Sequence, residues 1–337
     1  MEPEGAVAAR RVFAEHAKGA PSGESEVAVR LRRVTKRFGS KAAVDSLSLT
    51  IDQGSVYGLI GPNGAGKTTT FSMIAGYLRP TEGSVEVLGF APTAVDELRA
   101  RVGVLPQDAL LPASDEVGEF LVHLARLQAV PFKEAIDAAR SALAGVQGGD
   151  WWRQRCGNLS HGMAKRVALA QAFLGDPDLV LLDEPMAGLD PRVAWEVRHF
   201  IQSKRGRSTI VISSHNLQEL EQICDGAAIL DRGRVIAAGR MAELTASNDE
   251  IRVKVARGTP RGSGAGAVPL QVLRDLPAVK TLDYDDEGFE IVVQFDRKQA
   301  DAEAVIGHVL SALLENQVRI SGVTKGRSLE QRVMDLT

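Results

Sequence analysis

Residues 61–68 combine glycines, a lysine and a hydroxyl side chain at a spacing suited to holding phosphate. Glycines let backbone N–H groups turn inward around an anion, and a helix starting near Gly66 would aim its positive end at the same group. Lys67 would supply a positive charge to the β- and γ-phosphates of a nucleotide, and the Thr68 hydroxyl would coordinate Mg²⁺. The order of glycines, lysine and threonine matches the phosphate-loop pattern.

The residues expected to contact ATP in this loop are Gly61, Pro62, Asn63, Gly64, Ala65, Gly66, Lys67, Thr68 and Thr69. A chain with 33 glycines can match the pattern by chance. The surroundings argue against chance, because the loop follows an apolar run at 56–60 and precedes a plausible helix at 69–77. The sequence therefore predicts a phosphate site between a strand and a helix.

A pair of carboxylates, Asp183 and Glu184, follows another apolar run at 179–182. Asp183 would hold Mg²⁺ through its waters, and Glu184 would polarise the water that attacks the γ-phosphate. The pattern is short, and taken alone it fits equally well a strand end capped by solvated acids. Together with the phosphate loop, it predicts hydrolysis of a nucleoside triphosphate.

Strands with polar residues at their carboxyl ends must position this chemistry. Alternating apolar residues predict strands that begin near Val27 and near Leu47. The runs at 56–60, 179–182 and 210–212 are apolar throughout, as central strands covered on both faces require. Because helical segments separate these runs, the sequence predicts an α/β sheet with its ligand at the strand ends.

Two further patterns complete this part of the chain. From 115 to 147 apolar residues recur at intervals of three and four, which predicts helices with Ser114 or Asp115 as the N-cap. Residues 226–230 and 234–236 flank a short polar turn and predict a hairpin.

The predicted organisation has three parts. Residues 1–27, Ala-rich and charged, predict a flexible N-terminal extension. Residues 28–245 predict the nucleotide-binding domain, with a helical subdomain at about 115–175. The chain changes character after residue 245, and residues 249–337 predict a small α+β accessory domain. Its expected elements are strands at 251–255, 291–295 and 318–320, a helix at 302–314 and a glycine-rich mobile loop at 258–266.

Composition narrows the class of protein. A net charge of -3 disfavours nucleic-acid binding, which requires a basic face. Cys156 and Cys224 lack the spacing of metal ligands, so we expect a reducing compartment and no disulfide. No apolar run approaches the roughly 18 residues that span a bilayer, and residues 1–26 lack the apolar core of a signal peptide. If the protein serves a membrane, another chain must supply the spanning helices.

With the phosphate loop and the acidic pair placed, residues 27–244 resemble the ATP-binding-cassette (ABC) ATPase family in the order of their motifs. Phe38 stands where the family stacks an aromatic ring on adenine; a core or surface phenylalanine is the alternative. Gln107 matches the glutamine that contacts Mg²⁺ and water and senses the membrane partner. His215 matches the switch histidine that hydrogen-bonds the γ-phosphate and orients the water of Glu184, although a histidine at a strand end is more often structural.

Residues 159–163, Leu-Ser-His-Gly-Met, lie where the family carries its signature, usually Leu-Ser-Gly-Gly-Gln. Ser160 and Gly162 match this form, whereas His161 and Met163 depart from it. In the family this loop reaches across a dimer to the partner's γ-phosphate from a helix N-terminus. Ser160 and the backbone at Gly162 can still make that contact, and the Met163 departure bears on dimer contacts or rate. The resemblance thus predicts contact with the partner subunit's ATP for Ser160, His161, Gly162 and Met163.

Residues 187–190 resemble the loop that pairs two such subunits, with Asp190 as its key acid. The resemblance implies a P-loop fold with a mixed sheet, an antiparallel β part and a helical subdomain. It also implies two Mg²⁺-ATP molecules, each held between the phosphate loop of one subunit and Ser160 of the other. The expected partners are a transmembrane permease and a second ABC subunit, identical or different. The expected location is peripheral, on the cytoplasmic face of the inner membrane.

The type of ABC protein is indicated by weaker features of the sequence. The accessory domain and the ending at 328–334 resemble bacterial exporters of drugs, lipids or polysaccharides, with a generic dimerising appendage as the alternative. Non-transport ABC ATPases of DNA repair or translation usually carry coiled coils, zinc modules or two cassettes, and the sequence predicts none of these. A cassette that binds without hydrolysing is disfavoured by the presence of Lys67, Glu184 and His215. Trp151 and Trp152 fit either contact with the membrane partner or packing in the helical segment.

Overall fold

The computed structural model describes residues 26–214, 216–245, 250–260, 262, 266–285, 289–326, 329 and 333. Most of the predicted extension at 1–27, most of the ending at 328–334 and His215 therefore lie outside the described residues. The chain divides into two compact units, Met1–Met241 and Ala242–Thr337.

The strands of the first unit are β1 (Val27–Phe38), β2 (Lys41–Asp52), β3 (Val56–Ile60), β4 (Glu82–Val87), β5 (Val102–Leu105), β6 (Leu179–Asp183), β7 (Thr209–Ser213), β8 (Gly226–Asp231) and β9 (Arg234–Arg240). The helices that begin in it are α1 (Lys67–Ile74), α2 (Val95–Leu98), α3 (Val117–Leu127), α4 (Phe132–Gly145), α5 (His161–Ala172), α6 (Pro191–Ser203), α7 (Leu217–Ile223) and α8 (Met241–Thr245). Among the described residues, no helix is long and apolar enough to cross a bilayer.

A six-stranded sheet in the order β5-β6-β7-β3-β8-β9 forms the centre of this unit. Its strands pair in parallel except for the antiparallel hairpin of β8 and β9, which confirms the predicted hairpin. Every residue of β3, β6 and β7 is buried, as their continuous apolar sequences predict. Because Ser213 pairs with both Leu59 and Asp183, the carboxyl ends of β3, β6 and β7 lie at one level.

A second, antiparallel sheet has the order β2-β1-β4. Leu31, Leu47 and Leu49 point inward and alternate with exposed Arg32, Ser48 and Thr50, whereas Ala28 and Val29 are both buried. The inward side chains join one apolar core with residues of α1 and the central sheet. The two sheets and the helices between their strands confirm the predicted fold class.

The helical subdomain contains α3, α4 and α5, which pack on one another. The predicted N-cap of α3 is wrong: the cap position is Glu116, and no side chain caps the helix. The Ser114 hydroxyl donates instead to Asp115 Oδ1 at 2.8 Å. The backbone of Glu116 forms an isolated antiparallel β-bridge with the backbone of Arg155 before the helix begins. The side chains of Ser114 and Asp115 therefore bond each other and do not cap the first N–H groups of the helix.

The two tryptophans pack within this subdomain, as one of the two interpretations predicted. The Arg140 guanidinium lies over the Trp152 ring at 4.4 Å, and a side chain at Gly118 would collide with that ring. The Arg166 guanidinium lies over the Trp151 ring at 4.6 Å. Both rings are covered by cations of their own subunit.

The second unit contains β10 (Glu250–Val255), α9 (Leu270–Arg274), β11 (Val279–Asp285), β12 (Glu290–Phe295), α10 (Ala302–Glu315) and β13 (Ile320–Lys325). The sheet order is β11-β12-β10-β13, with every pair antiparallel. Helix α10 is capped by Asp301, whose carboxylate accepts from Ala304 N at 2.7 Å. Its apolar side joins a separate core with β10 and β12, so this unit has the α+β character that the sequence predicts.

Two predictions for this unit fail in detail. The strand predicted at 318–320 starts at Ile320 and continues to Lys325, because Gln317 adopts a left-handed backbone that still belongs to the connection and Val318 packs into the core. Strand β11 was not predicted, since its apolar alternation is limited to Leu282 and Tyr284 and is broken at Lys280 and Thr281, where the register shifts. It is an edge strand, where exposed charges are common.

Both cysteines are free and buried. Burial raises the pKa of the Cys156 and Cys224 thiols, and the carboxylates of Asp115 and Asp225 act in the same direction. We therefore expect neither thiol to react readily with a disulfide reagent at pH 8 while the protein is folded. Labelling should be slower by about two orders of magnitude or more than in guanidinium, because reaction requires local opening. Rapid labelling of the native protein would contradict the burial of these side chains.

Candidate nucleotide site

The phosphate loop connects β3 to α1, and two of its glycines are required by close backbone contacts. Gly66 is the N-cap of α1, with φ of 100°, and a Cβ there would lie 2.7 Å from Ala43 O. A Cβ on Gly61 would lie 2.3 Å from Leu230 O. A side chain at either position would push the loop off the strands behind it.

Lys67 lies across this loop. Its Nζ donates to Gly61 O at 2.7 Å and to Pro62 O at 3.2 Å, and the residue is 8% exposed. Burial lowers the pKa of Lys67, whereas the carboxylates of Glu184 and Asp183 oppose this shift. The structure therefore brings the predicted phosphate loop and the predicted acidic pair into one electrostatic site.

The acidic pair is held by the neighbouring strand. Asp183 is the last residue of β6 and is 5% exposed, and the Ser213 hydroxyl of β7 donates to its Oδ1. Glu184 has a left-handed backbone, with φ of 51°, and its N–H donates to the carbonyl and hydroxyl oxygens of Ser213, each at 3.2 Å. A left-handed non-glycine residue costs about 1 kcal/mol or more, so this turn is maintained by its hydrogen bonds.

Oxygen donors are available for Mg²⁺ in this arrangement. Ser213 occupies one oxygen of the Asp183 carboxylate and leaves the other for a ligand, while Thr68 is exposed at the start of α1. A buried carboxylate and a hydroxyl are hard ligands, and Mg²⁺ bound to a nucleotide usually combines such groups with phosphate oxygens and water. These residues fit the predicted ion.

Two residues of this site were missed from the sequence. Ser213 follows the apolar run at 210–212, and its hydroxyl is the only signal that the sequence offers. Lys165 lies half-buried on α5, where burial lowers its pKa and the carboxylates of Asp183, Glu184 and Asp108 oppose the shift. A second lysine therefore lies within the field of the acidic pair.

The signature residues begin helix α5. Ser160 is its N-cap, is exposed, and accepts from Met163 N at 3.3 Å. Gly162 lies in the first turn. His161 is also exposed and turns toward the dimer loop, since a Cβ on Gly188 would lie 3.3 Å from His161 Nε2. The side chain that departs from the family pattern therefore lies beside the next motif of its own subunit.

Asp190 is the N-cap of α6. Its Oδ1 accepts from Arg192 N at 3.0 Å and Val193 N at 3.1 Å, and Pro191 occupies the first helical position. This is a favourable helix start, because proline has no N–H to satisfy there. Asp190 thus has a structural partner within its own subunit.

The remaining predicted residues lie apart from these contacts. Phe38 ends β1 and is 52% exposed, which excludes the core alternative and leaves its ring open to a ligand. Gln107 follows β5 and is exposed. His215 falls outside the described residues, between β7 and α7. The roles assigned to these three residues stay predictions.

Comparison with known proteins shows the family of the chain. A family model described as "ABC transporter" matches residues 44–187. The Nod factor export ATP-binding protein I of Burkholderia lata is 39% identical over 212 residues, which cover 62% of this chain and 69% of that protein. The chain belongs to the ABC transporter ATP-binding family.

Solved structures of ABC proteins share the fold. An ATP-binding subunit of an ABC transporter has a TM-score of 0.59 at 25% identity, covering 64% of this chain and 91% of its own. The cbiO1 protein of Clostridium perfringens, part of the transporter complex cbiONQ, has a TM-score of 0.58 at 27% identity, covering 66% and 92%. Membership of the ABC family supports the predicted binding of ATP.

A matched pair of glycine substitutions tests this ABC phosphate loop. Gly64 and Gly66 both have positive φ, but a Cβ on Gly64 meets nothing within 4 Å, whereas one on Gly66 meets Ala43 O. We expect Gly66→Ala to weaken binding of a fluorescent ATP analogue about tenfold more than Gly64→Ala, since relieving the contact must displace the loop and ~1.4 kcal/mol corresponds to tenfold. Equal affinities for the two variants would contradict this account of the loop.

Proposed function

We propose that this chain is the ATP-hydrolysing subunit of an ABC exporter, which closes with a second ABC subunit around Mg²⁺-ATP and drives a separate transmembrane permease. The observation that carries the proposal is that β3 and β6 both pair in parallel with β7, so that the phosphate loop and the Asp183–Glu184 pair follow their strands at the same end of a buried sheet. Such a site combines a phosphate cradle with a base for water, the parts that phosphoryl transfer to water requires.

ATP would enter the loop between β3 and α1. Phosphate oxygens would replace Gly61 O and Pro62 O as acceptors for Lys67, which already points into the loop. Backbone N–H groups of the loop and of the first turn of α1 would hold the same phosphates, and the exposed ring of Phe38 would stack on adenine. Binding would therefore exchange the existing hydrogen bonds of Lys67 for bonds to phosphate oxygens.

Thr68, Asp183 and Gln107 would hold Mg²⁺, which neutralises charge on the β- and γ-phosphates. Glu184 would accept a proton from the attacking water while the water oxygen bonds to the γ-phosphorus. The bond from that phosphorus to the bridging oxygen of ADP breaks, and ADP and phosphate leave. His215 would orient the water by bonding the γ-phosphate.

A second subunit would complete each site. Ser160 and His161 are exposed at the start of α5, and N–H groups of this helix start would bind the γ-phosphate held by the partner. The partner is a second copy of this chain or another ABC subunit. Closure would assemble the site, and hydrolysis would reopen it.

The assignment of export and of coupling to a membrane protein rests on similarity to known proteins. The relative described above is named for Nod factor export, and the chain covers more than two thirds of it at 39% identity. Gln107 lies between β5 and the helical subdomain, so it is placed to relate nucleotide occupancy to a permease docked on that subdomain. The protein would then lie at the cytoplasmic face of the membrane, bound through that permease.

Glu184→Gln tests the base. We expect the wild type to hydrolyse ATP with Mg²⁺, and the variant to lose at least about a hundredfold in kcat while it keeps its ATP affinity. The variant should also accumulate as an ATP-dependent dimer, seen by size-exclusion chromatography. Lys67→Ala is the control that should lose binding itself.

Each failure has its own meaning. Full activity in Glu184→Gln would exclude Glu184 as the base but not ATP binding. A wild type that binds no ATP, even with its permease, would overturn the proposed function. Binding of ribosomes or nucleic acid at physiological salt would favour a non-transport ABC ATPase instead.

The second unit is proposed to hold two subunits together without nucleotide. Its independent core would allow it to stay associated while the nucleotide domains separate. At high protein concentration the full chain should then sediment as a dimer in the absence of ATP, whereas the ATP-dependent dimer of Glu184→Gln is measured at dilutions where this nucleotide-free association is negligible. A nucleotide-free monomer would contradict this role.

A further inference from the structure

Helices α5 and α6 each begin with a residue that the proposed dimer needs. Ser160 is the N-cap of α5 and Asp190 is the N-cap of α6. Both residues are exposed, and the two helices flank β6 in the sequence. Their relative position is set by the packing of α5 on β5 and β6, by the connections through β6 and by contacts between the helices.

The strongest such contact is an ion pair in the middle of these helices. Arg166 Nη1 lies 3.1 Å from Glu196 Oε2, and each side chain is only 15% exposed. The other carboxylate oxygen, Oε1, lies 3.5 Å from Arg192 Nε, one turn earlier on α6. Glu196 is thus held from both helices.

The other side of the arginine is covered by the helical subdomain. The guanidinium lies 4.6 Å from the centroid of the Trp151 ring, in the short 3-10 turn Gly149–Trp151. Among the described residues, Arg166 Nε is buried and finds no hydrogen-bond partner. Burying a guanidinium with one N–H unpaired costs free energy, and an apolar pair of similar size would stabilise the fold equally well. The arrangement instead fixes one geometry.

The tips of the helices also touch. The imidazole of His161 lies beside Gly188, and a Cβ on Gly162 would be 3.8 Å from Val193. Near the motifs these contacts are made by small residues or an exposed ring, and they hold the helices less firmly than the ion pair does. The ion pair is a direct link between the two helices, in addition to the packing of α5 on β5 and β6.

We propose that Arg166 and Glu196 are positioning residues for ATP hydrolysis, whose ion pair, braced by Trp151, fixes the signature helix to the helix behind the dimer loop. Ser160 and Asp190 then meet the partner subunit as one preformed surface. This inference rests on the proposed function, because it concerns closure around ATP. It assigns no contact with the nucleotide to either residue.

The test is Glu196→Gln, which keeps the size of the side chain and removes its charge. ATP affinity of the phosphate loop in the same subunit should be unchanged, because residues 61–69 do not touch the pair. In the Glu184→Gln background, the ATP concentration needed for half-maximal dimerisation should rise about tenfold, and in the wild-type background kcat should fall by a similar factor. Glu196→Asp, which keeps the charge, should recover part of the loss.

Asp176→Asn is the control variant. It breaks an ion pair of 2.7 Å with Lys204, just beyond the other end of α6. It should change neither dimerisation nor kcat. A cycle with Arg166→Met should show that Glu196→Gln adds little once its partner is gone.

Three results overturn the inference. Dimerisation of Glu196→Gln at the same ATP concentration as its parent would show that the pair does not set the surface. An equal loss of nucleotide affinity in the monomer would show that the pair only supports the fold. Additive effects of the two single substitutions would separate Arg166 from Glu196. If Glu184→Gln alone forms no ATP-dependent dimer, the proposed function fails as well.

Discussion

The parallel pairing of β6 and β7 is the constraint on which the site depends. It sets Asp183 opposite Ser213, whose hydroxyl bonds that carboxylate and accepts the N–H of Glu184. A hydrogen bond to a charged group contributes about 1.5–3 kcal/mol, which is enough to maintain the left-handed turn at Glu184. The same Ser213 pairs with Leu59 of β3, so the register also fixes the position along the strands at which the phosphate loop begins.

The glycines of that loop let its backbone lie close to the strands and form a cradle for phosphate. Gly61 passes so close to Leu230 O, and Gly66 to Ala43 O, that a side chain at either position would lift the loop away from the two sheets. Lys67 can then cross the loop toward the carboxylates of β6 without leaving its own helix. Short-range geometry in the loop and long-range pairing in the sheet therefore define one site.

This division explains what the sequence could predict. The loop and the acidic pair are recognisable because their chemistry is local: each is a run of adjacent residues with fixed roles. Ser213 depends on the pairing of strands thirty residues apart, and a serine after an apolar run carries no such information. The Arg166–Glu196 pair has the same character, since its two residues lie thirty positions apart on different helices.

The two residues that depart from the family's signature, His161 and Met163, lie in the first turn of α5. The hydroxyl of Ser160 accepts from Met163 N, a backbone group that a glutamine or a methionine supplies equally well, and its own O–H stays available to a phosphate. His161 turns away from this tip toward Gly188, which has no side chain to obstruct it. The two departures therefore leave the polar end of α5 intact, and His161 adds a contact along its side, where the signature helix meets the dimer loop.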